Sequence, residues 1–188
     1  MDGQPPTRQD REDWRLVYKE FRRWAALHGR FTLDGCADVQ GRNSFVRQNF
    51  CSLKRSFLKA RLSGQNVWLN PPFSQAGLFL RHLLAEHHRD ASVAATVILP
   101  AWKTAPWWPL TAQMELVHVY PAGTWLFTAP GLRRRRSVGP TRWETCVFRL
   151  QAQQETRQVR QETRQAQPPW FHANRFSALA EDMEWDAG

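Results

Sequence analysis

Residues 66–100 hold a strand pattern, a helix pattern and a second strand pattern in direct succession, and this order restricts the fold more than any other feature. Residues 67–69, "VWL", predict a short buried strand. Ser74 is a good N-cap residue for the strongly apolar helix predicted over 75–88. The uninterrupted apolar run in 92–100, "SVAATVILP", is typical of a strand in a parallel sheet that is covered on both faces. Strand, helix and strand in this order predict a right-handed crossover and an α/β fold.

Shorter patterns flank this unit. An amphipathic helix is predicted from Asp13 to a stop at Gly29. Its apolar side would carry five large residues, namely Trp14, Val17, Phe21, Trp24 and Leu27. A strand is predicted at 31–33, and it is followed by a loop that begins at Asp34 and Gly35. Residues 41–63 suggest short helical turns, interrupted by polar and glycine-containing stretches.

Three further strands are predicted near the end of the apolar part of the chain, in "ELVHVYPAG" (115–123), "TWLFTAP" (124–130) and "ETCVFRL" (144–150). We expect them to add antiparallel strands at the edge of the sheet. Beyond residue 150 the sequence becomes polar and contains a near-repeat of seven residues without apolar core positions. The predicted organisation is therefore a disordered tail over 1–12, one domain over 13–150, and a polar repeat linker with a C-terminal tail over 151–188.

Composition narrows the class of protein. The formal charge of +9 comes mainly from arginine, so nucleic acid is the leading polyanionic partner, with a solvated basic surface or a nuclear import signal as the alternatives. The polar N-terminus and the lack of a long apolar run predict a soluble intracellular protein and no membrane partner. Three cysteines without paired spacing suggest neither a disulfide framework nor a metal site. The histidines of "HLLAEHH" are better explained as a helix surface than as metal ligands.

The strand at 67–69 ends on Asn70, Pro71, Pro72 and Phe73, which have the properties that a transferase acting on a base amine needs. The Asn70 side-chain oxygen and the Pro71 carbonyl can accept hydrogen bonds from the amino group. The prolines hold that carbonyl in place and offer no competing N–H, and Phe73 can stack on an extruded base. The alternative is a strand-to-helix turn with Phe73 in the core. We favour a site because ligands bind at the carboxyl ends of parallel strands.

Three blocks, "FTLDGCADVQGRN", "VWLNPPF" and "VILPAWKTAPWW", resemble in this order the Dam-like DNA adenine methyltransferases of phages and of eukaryotic retrotransposons. The resemblance covers about residues 13–130. It implies a class I methyltransferase (Rossmann-like) fold with a mostly parallel sheet, antiparallel edge strands and helices on both faces. It also implies S-adenosylmethionine as the donor, the adenine 6-amino group of DNA as the acceptor, and residence in the nucleus of a eukaryote or the cytoplasm of a bacterial host.

The resemblance also assigns roles to residues of this sequence. Asn70, Pro71, Pro72 and Phe73 match the catalytic tetrad of the family. A second block is expected to face the cofactor, with Asp34, Cys36, Ala37, Asp38 and Asn43. Phosphate contacts are predicted for Lys103, Arg133, Arg134, Arg135 and Arg136. For the four arginines, the alternative is a nuclear localisation signal that touches no substrate.

A different class of function stays open at this point. The chain has no G-x-G motif, and it carries Arg55 and Arg61 near positions where relatives tend to have acidic residues. Since an arginine cannot accept a hydrogen bond from a ribose, a cofactor contact would be lost there. The alternative function is a catalytically degenerate protein of the same fold, derived from a retroelement or phage, that serves as a nucleic-acid-binding or assembly module.

Overall fold

The computed structural model describes residues 14–129 and 136–153, without the side chain of Arg136. The chain divides into two units, Met1–Gln153 and Gln154–Gly188. The second unit lies outside the described residues, and so do the tail predicted over 1–12 and the seven-residue repeat.

The described residues form eight strands and two α-helices. In chain order these are β1 (Arg15–Leu16), α1 (Tyr18–His28), β2 (Leu33–Asp34), β3 (Asn66–Leu69), α2 (Ala76–Arg89), β4 (Ala94–Pro100), β5 (Glu115–Tyr120), β6 (Phe127–Ala129), β7 (Arg136–Ser137) and β8 (Thr145–Leu150). Short 3-10 helices cover Phe57–Lys59, Phe73–Gln75 and Trp108–Gln113. The first of these is the only helical segment in the stretch 41–63, where the sequence predicted several turns.

A five-stranded mixed sheet with the order β2-β3-β4-β8-β5 forms the centre of the described fold. The predicted strand–helix–strand unit is confirmed, because β3 and β4 are parallel neighbours, with Val67 opposite Ala95, and α2 connects them. β8 is antiparallel to both β4 and β5 and lies between them, which makes it an interior strand and not the predicted edge strand. All six residues of β8 are buried, while β5 exposes Glu115 and Leu116, so burial explains why β5 takes the edge.

Successive residues of the central strands belong to two different buried clusters, as the period of two in a strand requires. Val67 and Leu69 lie in a cluster with Leu80 and Leu83 of α2. Trp68 lies in the other cluster, which also holds two residues of α1, Phe21 and Trp24. The described part of the chain is thus a mixed α/β structure whose sheet packs against helical residues through both clusters.

The start of the chain differs from the prediction. α1 begins at Tyr18, not at Asp13, because Arg15 and Leu16 are extended and pair with Thr128 and Phe127 in a second sheet of order β1-β6-β7. This tertiary pairing overrides the helical periodicity of the sequence. Leu27 is also not a core residue, since 64% of it is exposed. The predicted stop is confirmed, since Gly29 ends the helix with a φ of 79°.

The entry into α2 is the second difference. Ser74 is not the N-cap, because residues 73–75 form a 3-10 turn in which the Gln75 N–H donates to the Pro72 carbonyl at 2.8 Å. Gln75 occupies the N-cap position, and no side chain caps the helix there. The two prolines therefore lead into a tight turn that separates β3 from α2 by six residues, 70–75. Neither α-helix of the described ranges is long and apolar enough to cross a membrane.

Candidate active site at the carboxyl ends of β2 and β3

A cavity of about 600 Å³ lies where β2 and β3 end. Its lining comes from three segments, 35–43, 51–58 and 70–79, and from Trp14. The first segment follows β2 directly, and the third follows β3. Because β2 and β3 are parallel, with Asp34 opposite Trp68, the loops that leave them meet at the same edge of the sheet. The four residues of the predicted tetrad all line this cavity.

Asn70 has one half of its side-chain amide satisfied and the other half not. Its Nδ2–H donates to the backbone carbonyl of Trp14 at 2.9 Å. Its Oδ1 is shielded from solvent and accepts no hydrogen bond from the described residues. Buried polar atoms in proteins almost always have a partner, so an unused acceptor on a residue that lines the cavity is unusual.

The two prolines fix the backbone between β3 and the 3-10 turn. The Pro72 carbonyl accepts from Gln75 within the 3-10 turn, so it is used inside the protein. Pro71 is buried and follows Asn70 directly. Neither proline has an N–H, and each has a fixed φ, so the backbone beside Asn70 is rigid and carries no donor there.

Phe73 belongs to a buried aromatic cluster and lines the cavity at the same time. Four rings meet it edge-on at centroid distances of 5.9–6.3 Å, namely Trp14, Trp102, Phe127 and Trp143. Edge-on contacts are a favourable geometry for aromatic pairs, so the plane of the Phe73 ring is fixed by its neighbours. The ring is only 8% exposed, and stacking on a base stays a prediction for it.

The sequence did not identify Trp14, which lines the cavity, or Trp143, which packs on Phe73 beside it. Their rings are stacked at 6.1 Å with an interplanar angle of 5°, and both contact Phe73. The periodicity placed Trp14 in the apolar face of a helix, and nothing in the sequence distinguished Trp143 from the other tryptophans. The high tryptophan count was the only signal that pointed to aromatic contacts of this kind.

Asp34 lies at the end of β2 with its carboxylate buried. One oxygen accepts from the Cys36 N–H at 3.0 Å, and the other accepts from the Ser44 hydroxyl at 2.7 Å. Burial raises the pKa of Asp34 to about 6, although these two hydrogen bonds act in the opposite direction. Asp34 is not among the residues that line the cavity, and its predicted contact with a cofactor stays a prediction.

The other four residues predicted to face a cofactor, Cys36, Ala37, Asp38 and Asn43, do line the cavity. The Asp38 N–H donates to Asn43 Oδ1 at 2.7 Å, and the Asp38 carboxylate accepts from the Asn43 N–H at 3.2 Å. Asp38 also accepts from the Gln40 N–H at 2.8 Å. Gly41 completes this loop with a φ of 67°, a conformation that favours glycine. The loop after β2 is therefore held by its own polar side chains.

Of the predicted phosphate contacts, Lys103 is exposed on the turn that follows β4. Arg133, Arg134 and Arg135 lie outside the described residues. Arg136 is described only by its backbone, which pairs with Ala129 in the second sheet. These predictions therefore remain untested.

Arg55 and Arg61 do not line the cavity. Arg55 Nη1 donates to Asn49 Oδ1 at 2.9 Å, and Arg61 forms an ion pair with Glu86 at 3.5 Å. Glu86 is buried and also accepts from the Leu62 N–H at 3.1 Å. The two arginines thus have structural partners of their own. Within the described ranges, no group of three or more His, Cys, Asp and Glu side chains is placed to hold a metal ion.

Comparison with known families gives one match. The family model of DNA N-6-adenine-methyltransferase (Dam) matches residues 5–127, which is more than half of the chain. The matched range includes Trp14 and every other residue that lines the cavity, whereas β7 and β8 follow it. A search of curated proteins finds none that matches the chain.

Proposed function

The chain belongs to the DNA N-6-adenine-methyltransferase (Dam) family, and from this membership we propose that it transfers a methyl group from S-adenosylmethionine to the exocyclic amine of adenine in DNA. The observation that carries the proposal is the open acceptor at Asn70 Oδ1. Asn70 belongs to the tetrad that follows β3, and it lines a cavity whose volume is within the range of small-molecule sites.

The role proposed for Asn70 follows from its hydrogen bonds. Because the Trp14 carbonyl occupies the donor side of the amide, Oδ1 is the atom available to accept from an amine N–H. Together with the Pro71 carbonyl, it would hold the two amine hydrogens of adenine, so that the nitrogen lone pair is available to attack the methyl group of the donor. Both groups are fixed before a substrate arrives, which lowers the cost of orienting the amine.

The cavity lining fits the chemistry of the proposed cofactor. S-adenosylmethionine is a nucleoside joined to an amino acid, and it supplies an electrophilic methyl group when bound. Apolar side chains of Phe57, Leu58 and Phe79 line the cavity and suit the faces of an adenine ring. Asp38 and Asn43 line it as polar residues and suit the ribose and amino-acid groups. We propose that these residues hold the cofactor within a class I methyltransferase fold.

DNA as the substrate is supported by charge as well as by family. The formal charge of +9 favours a polyanion, and Lys103 follows β4 at the edge of the sheet where the cavity lies. The alternative of a degenerate protein that only binds nucleic acid has less support. Of the features on which it depended, Arg55 and Arg61 contact Asn49 and Glu86 and do not line the cavity, whereas the missing G-x-G motif still favours it.

The proposal is tested by incubating the folded protein with tritiated S-adenosylmethionine and duplex DNA, then measuring label in N6-methyladenine. We expect transfer by the wild type, and a loss of at least about a hundredfold in Asn70→Ala, since one preorganised hydrogen bond to a reacting group is worth that much. DNA affinity should change little. Gln48→Ala, which removes an exposed amide elsewhere, is the matched control.

Two results would overturn the proposal. No transfer by a wild-type sample whose tryptophan fluorescence shows a folded protein would exclude the activity. Unchanged transfer by Asn70→Ala would reduce residues 70–73 to a turn between β3 and α2.

A further inference from the structure

Charge is distributed unevenly around the cavity. Between Val39 and Ala85 the sequence has no acidic residue and seven basic ones, which are Arg42, Arg47, Lys54, Arg55, Lys59, Arg61 and Arg81. This range contains two of the three segments that line the cavity and part of the third. The stretch around the cavity is therefore mainly cationic, although Asp38 lines the cavity and two of these arginines, Arg42 and Arg61, form ion pairs with Asp38 and Glu86.

Residues 53–59, which we call the cationic rim, combine exposed charge with exposed apolar surface. Lys54, Arg55 and Lys59 are exposed. Leu53 is 94% exposed and Leu58 is 37% exposed, and both line the cavity. A single exposed leucine needs no explanation on an ordinary surface. Here two of them line the cavity, and each is followed directly by a lysine, so solvent, apolar side chains and cations meet at its opening.

The rim is held by structured neighbours. The Ser52 N–H donates to the Arg55 carbonyl at 2.9 Å, and Arg55 Nη1 donates to Asn49 Oδ1 at 2.9 Å. Phe57, in the middle of the rim, is buried and stacks on Phe79 of α2 at 5.5 Å. The exposed side chains on either side of Phe57 are thus presented by an anchored segment.

We propose that the cationic rim is the surface on which the DNA backbone lies beside the adenine that enters the cavity. Lys54, Arg55 and Lys59 contact phosphates, and Leu53 enters the base stack next to the position that the adenine leaves. Lysine and arginine side chains that contact DNA phosphates make the affinity for DNA depend on the salt concentration. An enzyme that acts on a base amine must take the base out of the duplex, and leucine is one of the side chains that separate base steps. The inference rests on the proposed function and assigns its substrate surface.

The first test measures DNA affinity of the full chain against salt concentration. Lys54→Gln/Lys59→Gln should lower the slope of log affinity against log salt by about 2, since each lost phosphate contact removes about 0.9. The matched control is Arg22→Gln/Arg30→Gln, which removes two exposed charges from α1 and the segment after it. The control should change the slope by less than half as much. Equal changes in the two variants, or none in the rim variant, would overturn the proposal.

The second test separates Leu53 from the cofactor. Leu53→Ala should lower methyl transfer to duplex DNA by about tenfold or more, because extrusion of the base loses its wedge. Its affinity for S-adenosylmethionine, measured by calorimetry without DNA, should stay within about twofold of the wild type. Leu27→Ala, at an exposed leucine of α1, should change neither quantity.

The outcomes distinguish this inference from the proposed function. A fall in cofactor affinity that matches the fall in transfer would place Leu53 on the cofactor and overturn its role in the base stack. Unchanged methyl transfer in Leu53→Ala would also overturn the role of Leu53 in the base stack. If the wild type transfers no methyl group, the proposed function fails, while the salt slopes still decide whether the rim binds nucleic acid.

Discussion

The buried carboxyl of Asp34 should make the unfolding free energy of the protein depend on pH. It is only 4% exposed, and burial raises its pKa from 3.8 to about 6. The folded protein therefore holds the proton more tightly than the unfolded chain does. The stabilising contribution is fully present below about pH 3.8 and is lost as the pH rises through about 6. A difference of about two pH units corresponds to about 3 kcal/mol of unfolding free energy.

Asp34→Asn removes this dependence on pH. The amide that replaces the carboxyl keeps an oxygen that can accept from the Cys36 N–H, but it cannot ionise. We expect the unfolding free energy of the wild type, minus that of the variant, to fall by about 3 kcal/mol between about pH 4 and pH 7.5. For a chain of this length, that is a relative change of about 6–12 °C in melting temperature. Urea unfolding followed by tryptophan fluorescence at each pH measures it.

Ser44→Ala is the companion variant. The Ser44 hydroxyl donates to the carboxylate and lowers the pKa of Asp34, so its loss should move the pH-dependent drop in stability to higher pH. A difference between wild type and Asp34→Asn that stays constant across this pH range would refute the reasoning, because the carboxyl would then be as well solvated as in the unfolded chain.

The variant Asp34→Asn also tests whether Asp34 contacts the cofactor. Because Asp34 does not line the cavity, we expect S-adenosylmethionine affinity at about pH 7.5 to change by less than about threefold in Asp34→Asn. If the affinity for S-adenosylmethionine falls by more than about tenfold while the loop after β2 stays folded, the result would support the direct contact between Asp34 and the cofactor that the sequence predicted.

Two more variants test the surroundings of the cavity, and one tests the core. Trp14→Ala removes a ring that contacts Phe73, Phe127 and Trp143, so stability should fall by about 2–3 kcal/mol. The backbone carbonyl of residue 14 still accepts from Asn70, but the ring contacts no longer hold it in place, so methyl transfer should also fall, whereas Trp14→Phe should keep most of both. Gly41→Ala would place a Cβ 2.6 Å from the Phe50 ring at a φ of 67°. Stability should therefore fall by more than about 1 kcal/mol, and the affinity for the cofactor should fall as well. An unchanged unfolding curve would contradict the geometry. Tyr120→Phe removes the hydroxyl that accepts from Trp24 Nε1–H at 3.0 Å and donates to Glu20 at 2.5 Å. The unfolding free energy measured in urea should fall by about 1–3 kcal/mol. Tyr18→Phe, at an exposed tyrosine, is the control.

Much of the sheet followed from local sequence. The strand at 67–69, the helix after it and the strand at 92–100 form as predicted, because continuous apolar runs and short connections leave few other arrangements. Strands within 115–120 and 145–150 were also found from their composition. Their order in the sheet was not predictable, since β8 inserts between β4 and β5 by pairing with residues distant in the chain.

The first described residues show why periodicity misled. Trp14, Val17, Phe21 and Trp24 have helical spacing, yet the helix starts only at Tyr18. Leu16 is extended because it pairs with Phe127, a contact that no local pattern contains. In the same way, no local pattern indicates that Arg61 pairs with Glu86 on α2.

By itself, the sequence determined which polar and aromatic groups residues 70–73 carry and their position at the end of a buried strand, because both depend on neighbouring residues. Only the tertiary structure decided which atom of Asn70 stays open. The Trp14 carbonyl that takes its amide N–H lies 56 residues earlier in the chain, held there by the pairing of β1 with β6. Hydrogen bonds between segments this far apart form only when the sheets and the aromatic cluster are assembled, so the acceptor at the cavity is a property of the fold.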